Sequence, residues 1–417
     1  MDEQLISRLT QEMHYEFTRT SPPEGFPQFH DIPVSRFTDD QFWDLEQKYL
    51  WPRSWVLAGR VEDIPNVGDF FTFDSLGPPM LLIRGRDHEI RAFYNTCQHR
   101  GAPVVRDPSG TSKLLRCQYH SWSYDIDSGQ LVSVPDERDF VGLDKSQRCL
   151  PTLRCEIWDN WIFVNQDPHA KTLLEHLGPI ADELAELQGS SLKTVAKRSK
   201  VIACNWKITA EAFLEVYHFR HIHSHGGQSL LDNRGATMGL LPNGCSRMIT
   251  PFSSHAYQAL GMKNWDDYVH VAPKDFTDIA SVNDMVRSTS SAYGIFPNLI
   301  TPIAAYGFPF ITFWPIDKKT TQIEWTHYAP IDFDPKQGLT TPWEERMTSF
   351  DAIMQEDFWN MAPMQKSIQS PAMTGVPINY QERRIWHFHE HIDRLIGVDN
   401  IPTTMRVAQL LDPYVER

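Results

Sequence analysis

No run of eighteen or more apolar residues occurs anywhere in the 417 positions, so no segment reads as a membrane-spanning helix. Low-complexity tracts and internal repeats are also missing. Basic residues are in deficit, 39 Lys and Arg against 53 Asp and Glu, for a formal net charge of −14. Nucleic acid is therefore not an expected partner, because a phosphate backbone demands a basic face. Cysteine is scarce, with six in all, and the opening Met1-Asp2-Glu3-Gln4 offers neither a basic n-region nor an apolar h-region. Secretion and a disulfide framework are not expected, and the compartment reads as cytoplasmic. With 41% hydrophobic and 22% charged residues, the chain has the composition of a globular protein long enough for two domains.

Against that background two compact cysteine–histidine pairs stand out: Cys97-Gln98-His99 and Cys117-Gln118-Tyr119-His120. Two thiolates and two imidazoles would satisfy a tetrahedral structural zinc. Zinc fingers, however, usually place both cysteines first and both histidines last. Here each pair is mixed, which suits a [2Fe–2S] cluster with both thiolates on one iron and both imidazoles on the other. Between Arg84 and Arg116 seven Arg or Lys face three acids, a local basic stretch in an acidic chain. It could steer an acidic electron donor, or its arginines could simply brace loops.

The stretches Cys97-Gln98-His99-Arg100-Gly101 and Cys117-Gln118-Tyr119-His120-Ser121-Trp122-Ser123-Tyr124-Asp125 resemble the C-x-H-R-G and C-x-x-H-G-W-x-Y-D loops of Rieske-type non-haem iron oxygenases, the alpha subunits of ring-hydroxylating systems. Gln118 and Ser121 stand where the family usually has Pro and Gly. The hydroxyls of Ser121 and Tyr124 are placed to hydrogen-bond cluster sulfurs and raise the potential.

Short apolar runs at Trp55–Ala58, Phe70–Phe73, Met80–Arg84, Ile90–Tyr94, Leu114–Cys117 and Trp158–Val164 predict a small antiparallel domain with the two pairs at hairpin tips. Beyond Pro168 the pattern predicts helix over Leu173–Leu187 and Glu211–Phe219 and strands after Met248. Helices are predicted again over Trp343–Met361 and Arg383–Ile396. The expected class is α+β: an N-terminal segment over 1–50 packing on the catalytic domain, a small all-β Rieske domain over 51–168, and a helix-grip catalytic domain with an antiparallel sheet over 169–417.

A second constellation, Glu215-Val216-Tyr217-His218-Phe219-Arg220-His221-Ile222-His223-Ser224-His225, concentrates four histidines and an acid. On a regular helix His218 and His221, or His221 and His225, share a face. His218 and His223 point apart unless the helix ends or bulges between them. The same family resemblance, through Asn205-Trp206-Lys207 followed by Glu211, Glu215, Tyr217, His218 and His223, implies that His218 and His223 bind a mononuclear ferrous iron. It implies Asp357 of Glu356-Asp357-Phe358-Trp359 as the third ligand, with Glu356 in reserve. Glu215 matches the acid that, in the family's trimers, links a Rieske histidine of one subunit to an iron ligand of the next. Ala212 departs from the family's usual Asn.

The resemblance further implies a terminal oxygenase using O2 and electrons from a separate NAD(P)H-dependent reductase, with or without a ferredoxin. It would hydroxylate a small hydrophobic, aromatic substrate as a homotrimer, with or without a small beta subunit. Alternatives are oxidative N- or O-dealkylation or hydroxylation of an N-alkyl or quaternary ammonium compound, and, in another class, a Rieske electron carrier. The candidate apolar pocket draws on Phe213, Leu214, Met238, Leu240 and Phe252, and on Tyr293, Phe296, Phe308, Phe310 and Trp359. Arg247 is a candidate anchor for a substrate carboxylate.

Overall fold

The computed structural model describes residues 1–225, 228–259, 261–263 and 274–416. The chain folds as two units, Trp51–Leu173 and Met1–Leu50 together with Leu174–Arg417. The α+β class is borne out, with antiparallel sheets in both units.

The first unit is built from short strands: β1 (Val56–Arg60), β2 (Asp69–Phe73), β3 (Met80–Arg84), β4 (Ile90–Tyr94), β5 (Ser109–Thr111), β6 (Leu115–Arg116), β7 (Ser123–Tyr124), β8 (Leu131–Ser133), β9 (Thr152–Trp158) and β10 (Trp161–Asn165). One sheet runs β1-β10-β9-β4-β3-β2-β5, and a smaller one runs β6-β7-β8. Branched and aromatic side chains favour strands because they pack well on a pleated surface. Leu81, Ile83, Phe93, Leu115, Trp122 and Tyr124 accordingly meet in one buried core. The predicted run Trp158–Val164 is in fact the end of β9, a tight turn and the start of β10. Asp159 and Asn160 both take positive φ, 44° and 76°, as a two-residue hairpin requires.

In the second unit, β11 (Lys193–Ile202), β12 (Thr237–Leu240), β13 (Ser246–Pro251), β14 (Thr289–Ile295), β15 (Leu299–Ile303), β16 (Phe308–Asp317) and β17 (Thr320–Ala329) form a sheet in the order β11-β17-β16-β15-β14-β13-β12. The same unit carries helices α1 (Trp206–Glu211), α2 (Phe219–Ile222), α3 (Thr341–Ile368) and α4 (Arg383–Ile396). The span predicted for α4 is the one observed. The helix predicted over Leu173–Leu187 is broken at Gly178-Pro179 into two short pieces, Leu173–Leu177 and Pro179–Glu183, followed by a 3-10 turn.

Eleven of the fourteen residues of α4 are buried. A helix sunk that deeply has to pair most of the polar side chains it carries. His387 Nε2 donates to Leu241 O at 2.8 Å, and Asp393 accepts from Arg36 Nη1 at 2.6 Å and from the backbone N–H of Val407 at 2.9 Å. Arg36 also donates from Nε to His389 Nδ1 at 3.0 Å. That fixes the tautomer: His389 carries its proton on Nε2 and donates it to Glu211 Oε1 at 2.7 Å. Beside this chain Lys207 Nζ donates to Glu46 Oε1 at 2.6 Å, both side chains fully buried, and Trp206 Nε1 donates to Glu46 Oε2 at 3.2 Å. Arg36 and Glu46 belong to the N-terminal segment, so charge pairs stitch that segment to α1 and α4. Removing one partner of such a pair strands a buried charge, at a cost of about 3–5 kcal/mol.

Burial pushes the Glu211 carboxyl up to about 8, although Lys207 and Arg36 pull it down. An acid whose folded pKa lies above its unfolded value favours folding at low pH and forfeits that preference as pH rises towards the folded pKa. Relative to Glu211→Gln, which cannot titrate, the thermal midpoint of the natural protein should fall steadily from about pH 5 to about pH 8 and then level off. Parallel midpoint–pH curves for the two proteins would remove this assignment.

Candidate metal centres

In the first unit Cys97 follows β4 and Cys117 follows β6, and the two loops share one backbone design. Cys97 N–H donates to Ala102 O at 2.8 Å and Gly101 N–H to Cys97 O at 2.9 Å. In the other loop Cys117 N–H donates to Trp122 O and Ser121 N–H to Cys117 O, both at 2.9 Å. Both turns close on a left-handed residue, Gly101 at φ 76° and Ser121 at φ 60°. Glycine takes that conformation freely and serine only under strain. Ser121 thus serves the turn, and its hydroxyl makes no hydrogen bond to a cysteine among the described residues. Tyr124 is the one that reaches sulfur. Its Oη accepts Gln98 N–H at 3.0 Å and lies 3.2 Å from Cys97 Sγ, so the hydroxyl proton is free to point at the sulfur.

Cys97 and Cys117 are buried, while His120 is exposed and His99 half-buried. The rings of His99 and His120 lie 4.7 Å apart, and His99 stacks on Trp122 at 4.7 Å. The two thiols belong to the same buried core as Trp122 and Tyr124. Sulfurs gather at the inner end and imidazoles at the outer end. Among the described residues, the set whose ligand atoms all lie within 4.8 Å of one another is His218, His223 and Asp357. At the other centre a pairing of thiols inside and imidazoles outside suits two irons side by side.

The basic stretch around these loops is partly neutralised. Arg86 pairs with Asp125 and Asp127, Arg91 with Asp87, and Arg84 donates to the carbonyls of Ile64, His88 and Val61. Arg100, Arg106 and Arg116 remain exposed.

In the second unit the donor set is assembled by an interrupted helix. The predicted helix over Glu211–Phe219 stops at Glu211, and one turn restarts at Phe219. The interruption has a local cause. Glu215 Oε2 accepts the backbone N–H groups of Tyr217 and His218, which offers the chain an alternative to continued helix. Glu215 Oε1 also accepts His218 Nδ1–H. His218 and His223 therefore flank a single helical turn, and their rings come within 5.2 Å. Across from them Asp357 sits on the buried stripe of α3 with Met354, Phe358 and Met361, and is 6% exposed. Its Oδ1 lies 3.1 Å from His223 Nε2 and 3.6 Å from His218 Nε2. The two pieces are held in register where Asn205, the N-cap of α1, donates its backbone N–H to Gln365 Oε1 of α3 at 2.7 Å.

Glu356, held in reserve as a ligand, has a different place: its Oε2 accepts His223 Nδ1–H at 2.7 Å. Each imidazole thus has a carboxylate on Nδ1 and keeps its Nε2 lone pair for a metal. Two imidazoles and one buried carboxylate fit a non-haem ferrous site. His221 points elsewhere, accepting from Arg220 Nε at 3.1 Å; the side chain of His225 lies outside the described residues.

The pocket candidates divide. Met238 and Phe252 join Val216, Leu231, Met248, Ala292 and Phe219 in one apolar cluster, and the Phe219 ring is 4.5 Å from His223. Leu214 is buried on the neighbouring turn, and Phe213 packs on Phe313 at 5.3 Å. Phe308 and Phe310 cluster with Tyr328 in the sheet. Phe296 packs instead on Phe388 and His391 of α4. Trp359 is a correction: it is 78% exposed, because a residue two past Asp357 on a helix turns to the opposite face. Arg247 is another. It is fully buried and pairs with Glu183 and Glu416, and Tyr293 donates to the same Glu183 at 2.9 Å, so both are structural and no substrate anchor remains there.

Comparison with known proteins gives two family matches, the Rieske [2Fe-2S] domain over residues 54–153 and the ring hydroxylating alpha subunit (catalytic domain) over residues 189–397. The chain is 28% identical over 257 residues to the 2-aminobenzenesulfonate 2,3-dioxygenase subunit alpha of Alcaligenes sp, covering 60% of this chain and 64% of that protein. It is 36% identical over 188 residues to the biphenyl 2,3-dioxygenase subunit alpha of Rhodococcus jostii (strain RHA1), covering 44% of this chain and 41% of that one. The chain therefore spans less than two thirds of the length of these curated relatives. A solved structure of a quaternary ammonium Rieske monooxygenase shares the fold at a TM-score of 0.72 and 20% identity, over 90% of this chain and 99% of that one.

Two variants probe these centres. Tyr124→Phe should lower the reduction potential read by voltammetry, since a hydrogen bond to sulfur stabilises the reduced cluster, while Ser121→Ala leaves it in place. Glu356→Gln should weaken ferrous binding about 10–100-fold with the [2Fe–2S] spectrum unchanged; unaltered affinity would deny Glu356 its role.

Proposed function

Because this chain belongs to the family of ring-hydroxylating oxygenase alpha subunits, we propose that it is the terminal oxygenase of a multicomponent system. It uses O2 and electrons from a separate NAD(P)H-dependent reductase, with or without a ferredoxin, to hydroxylate a small hydrophobic, aromatic substrate. The observation that carries this reading is the meeting of His218 Nε2, His223 Nε2 and Asp357 Oδ1 at a buried point. The names of the curated relatives, which act on biphenyl and 2-aminobenzenesulfonate, favour an aromatic substrate. The structural relative that acts on quaternary ammonium compounds keeps oxidation of an N-alkyl substrate as the second reading. Reduced, unpaired Cys149, Cys155, Cys204 and Cys245 suit a cytoplasmic setting.

In this reading Cys97, His99, Cys117 and His120 hold the [2Fe–2S] cluster, and His218, His223 and Asp357 hold the iron. Bound there, the cluster supplies one-electron storage and the iron supplies activation of dioxygen, chemistry that no side chain offers. The protein's own part is positional. Glu215 and Glu356 hold the two imidazoles by Nδ1 and keep each Nε2 aimed at Asp357. Val216, Phe219 and Met238 exclude water from one side of that point. In a trimer the remaining lone pair of Glu215 Oε1 would meet the exposed His120 of a neighbouring copy, an acid hydrogen-bonded to imidazoles of both centres.

The purified protein should be brown, with about three irons and two labile sulfides per chain; stoichiometric zinc without sulfide would overturn the proposal. With a surrogate reductase it should transfer label from isotopic O2 into aromatic probes. Glu215→Gln should retain both metals and lose nearly all product formation, and full turnover by that variant would dismiss the bridge.

A further inference from the structure

An open recess of about 280 Å³ lies in the second unit, walled in part by Arg220, Leu231, Asp232, Arg234, Ser253 and His255. It abuts the candidate iron site through two of its walls. Leu231 belongs to the apolar cluster that packs on Phe219, whose ring touches His223. Arg220 sits on α2, the single turn between His218 and His223. On its Leu231 side the recess therefore borders the apolar cluster that packs beside the candidate iron site.

Its charge is unbalanced. Arg234 donates from Nε and Nη2 to the two oxygens of Asp232 at 3.0 and 2.6 Å, and Arg220 also acts on that carboxylate's charge, so one acid faces two guanidiniums. Arg220 commits only Nε, to His221, and forms no ion pair among the described residues. A second cation sits on the backbone next to Glu215. Arg384 is fully buried, donating from Nε to Ser246 Oγ at 2.9 Å and from Nη1 to Leu214 O at 3.1 Å. Its Nη2 has no partner, and the charges acting on it are those of Arg383 and Arg247, both of its own sign. Arg384 thus has no paired acid among the described residues, and the charges that line the recess itself are Arg220 and Arg234 against Asp232.

We propose that this recess receives the anionic group, a carboxylate or sulfonate, of an otherwise apolar substrate, and that Arg220 selects it. The proposal deepens the oxygenase reading and rests on it. The free Nη1 and Nη2 of a planar guanidinium match the two oxygens of such a group. A trimethylammonium end would meet like charge at the same place.

The test is calorimetric titration of the holoenzyme at low ionic strength with 3-phenylpropionate, its neutral amide and the corresponding trimethylammonium compound. The carboxylate should bind roughly tenfold more tightly than the amide, with the cation weakest. Arg220→Gln should abolish the carboxylate's advantage and leave the amide's affinity alone, while Arg220→Lys retains part of the advantage. Equal binding of acid and amide, an equal loss for both in Arg220→Gln, or no binding of any probe overturns the proposal. Inorganic sulfate that competes with the carboxylate but not with the amide supports it. Sulfate binding without any carboxylate preference marks a site for free ions and refutes the substrate assignment. Binding is read without turnover, so a chain devoid of iron and labile sulfide would sink the oxygenase reading whether or not Arg220 discriminates.

Discussion

The second unit turns on one carboxylate. Glu215 takes the backbone N–H groups of Tyr217 and His218 and the Nδ1 proton of His218. By accepting the first two it ends one helix and permits a single new turn; by accepting the third it orients an imidazole. Everything downstream inherits that geometry. His223 arrives beside His218 because only one turn separates them, and both can face Asp357 because α3 is pinned to α1 through Gln365 and Asn205. The acid that builds the site locally is also the one proposed to couple it to a second centre.

A different constraint governs the N-terminal segment. Arg36 and Glu46 are charges carried into the interior, matched by Asp393 and Lys207. Such pairs contribute little net stability compared with apolar packing, but they tolerate no mispairing. They therefore specify where the segment docks on α1 and α4.

Much of this was legible in the chain. The paired cysteine–histidine loops, the long C-terminal helices and the strand pair β16–β17 follow from periodicity and ligand spacing. The five-residue separation of His218 and His223 posed the question of where the helix breaks, and Glu215 is the local answer, within reach of sequence reasoning through its side-chain competition with the backbone. Trp359 was within reach too, since an inward Asp357 forces it outward. Arg247 was not: its partners Glu183 and Glu416 lie 64 and 169 residues away, and no local pattern foretells them. Glu356 could only be kept in reserve behind Asp357, because two adjacent acids look alike in sequence and only the helix phase decides which one meets Nε2 and which meets Nδ1.

The matching turns at Gly101 and Ser121 have a consequence for assembly. Either loop contributes one sulfur to the inner end and one nitrogen to the outer end, so neither metal position is complete on one loop. Opening a single turn removes a donor from both positions together. A half-built centre with one iron fully ligated is therefore not available to this scaffold, and the cluster should be gained and lost as one cooperative unit, with the strained Ser121 turn the weaker of its two latches.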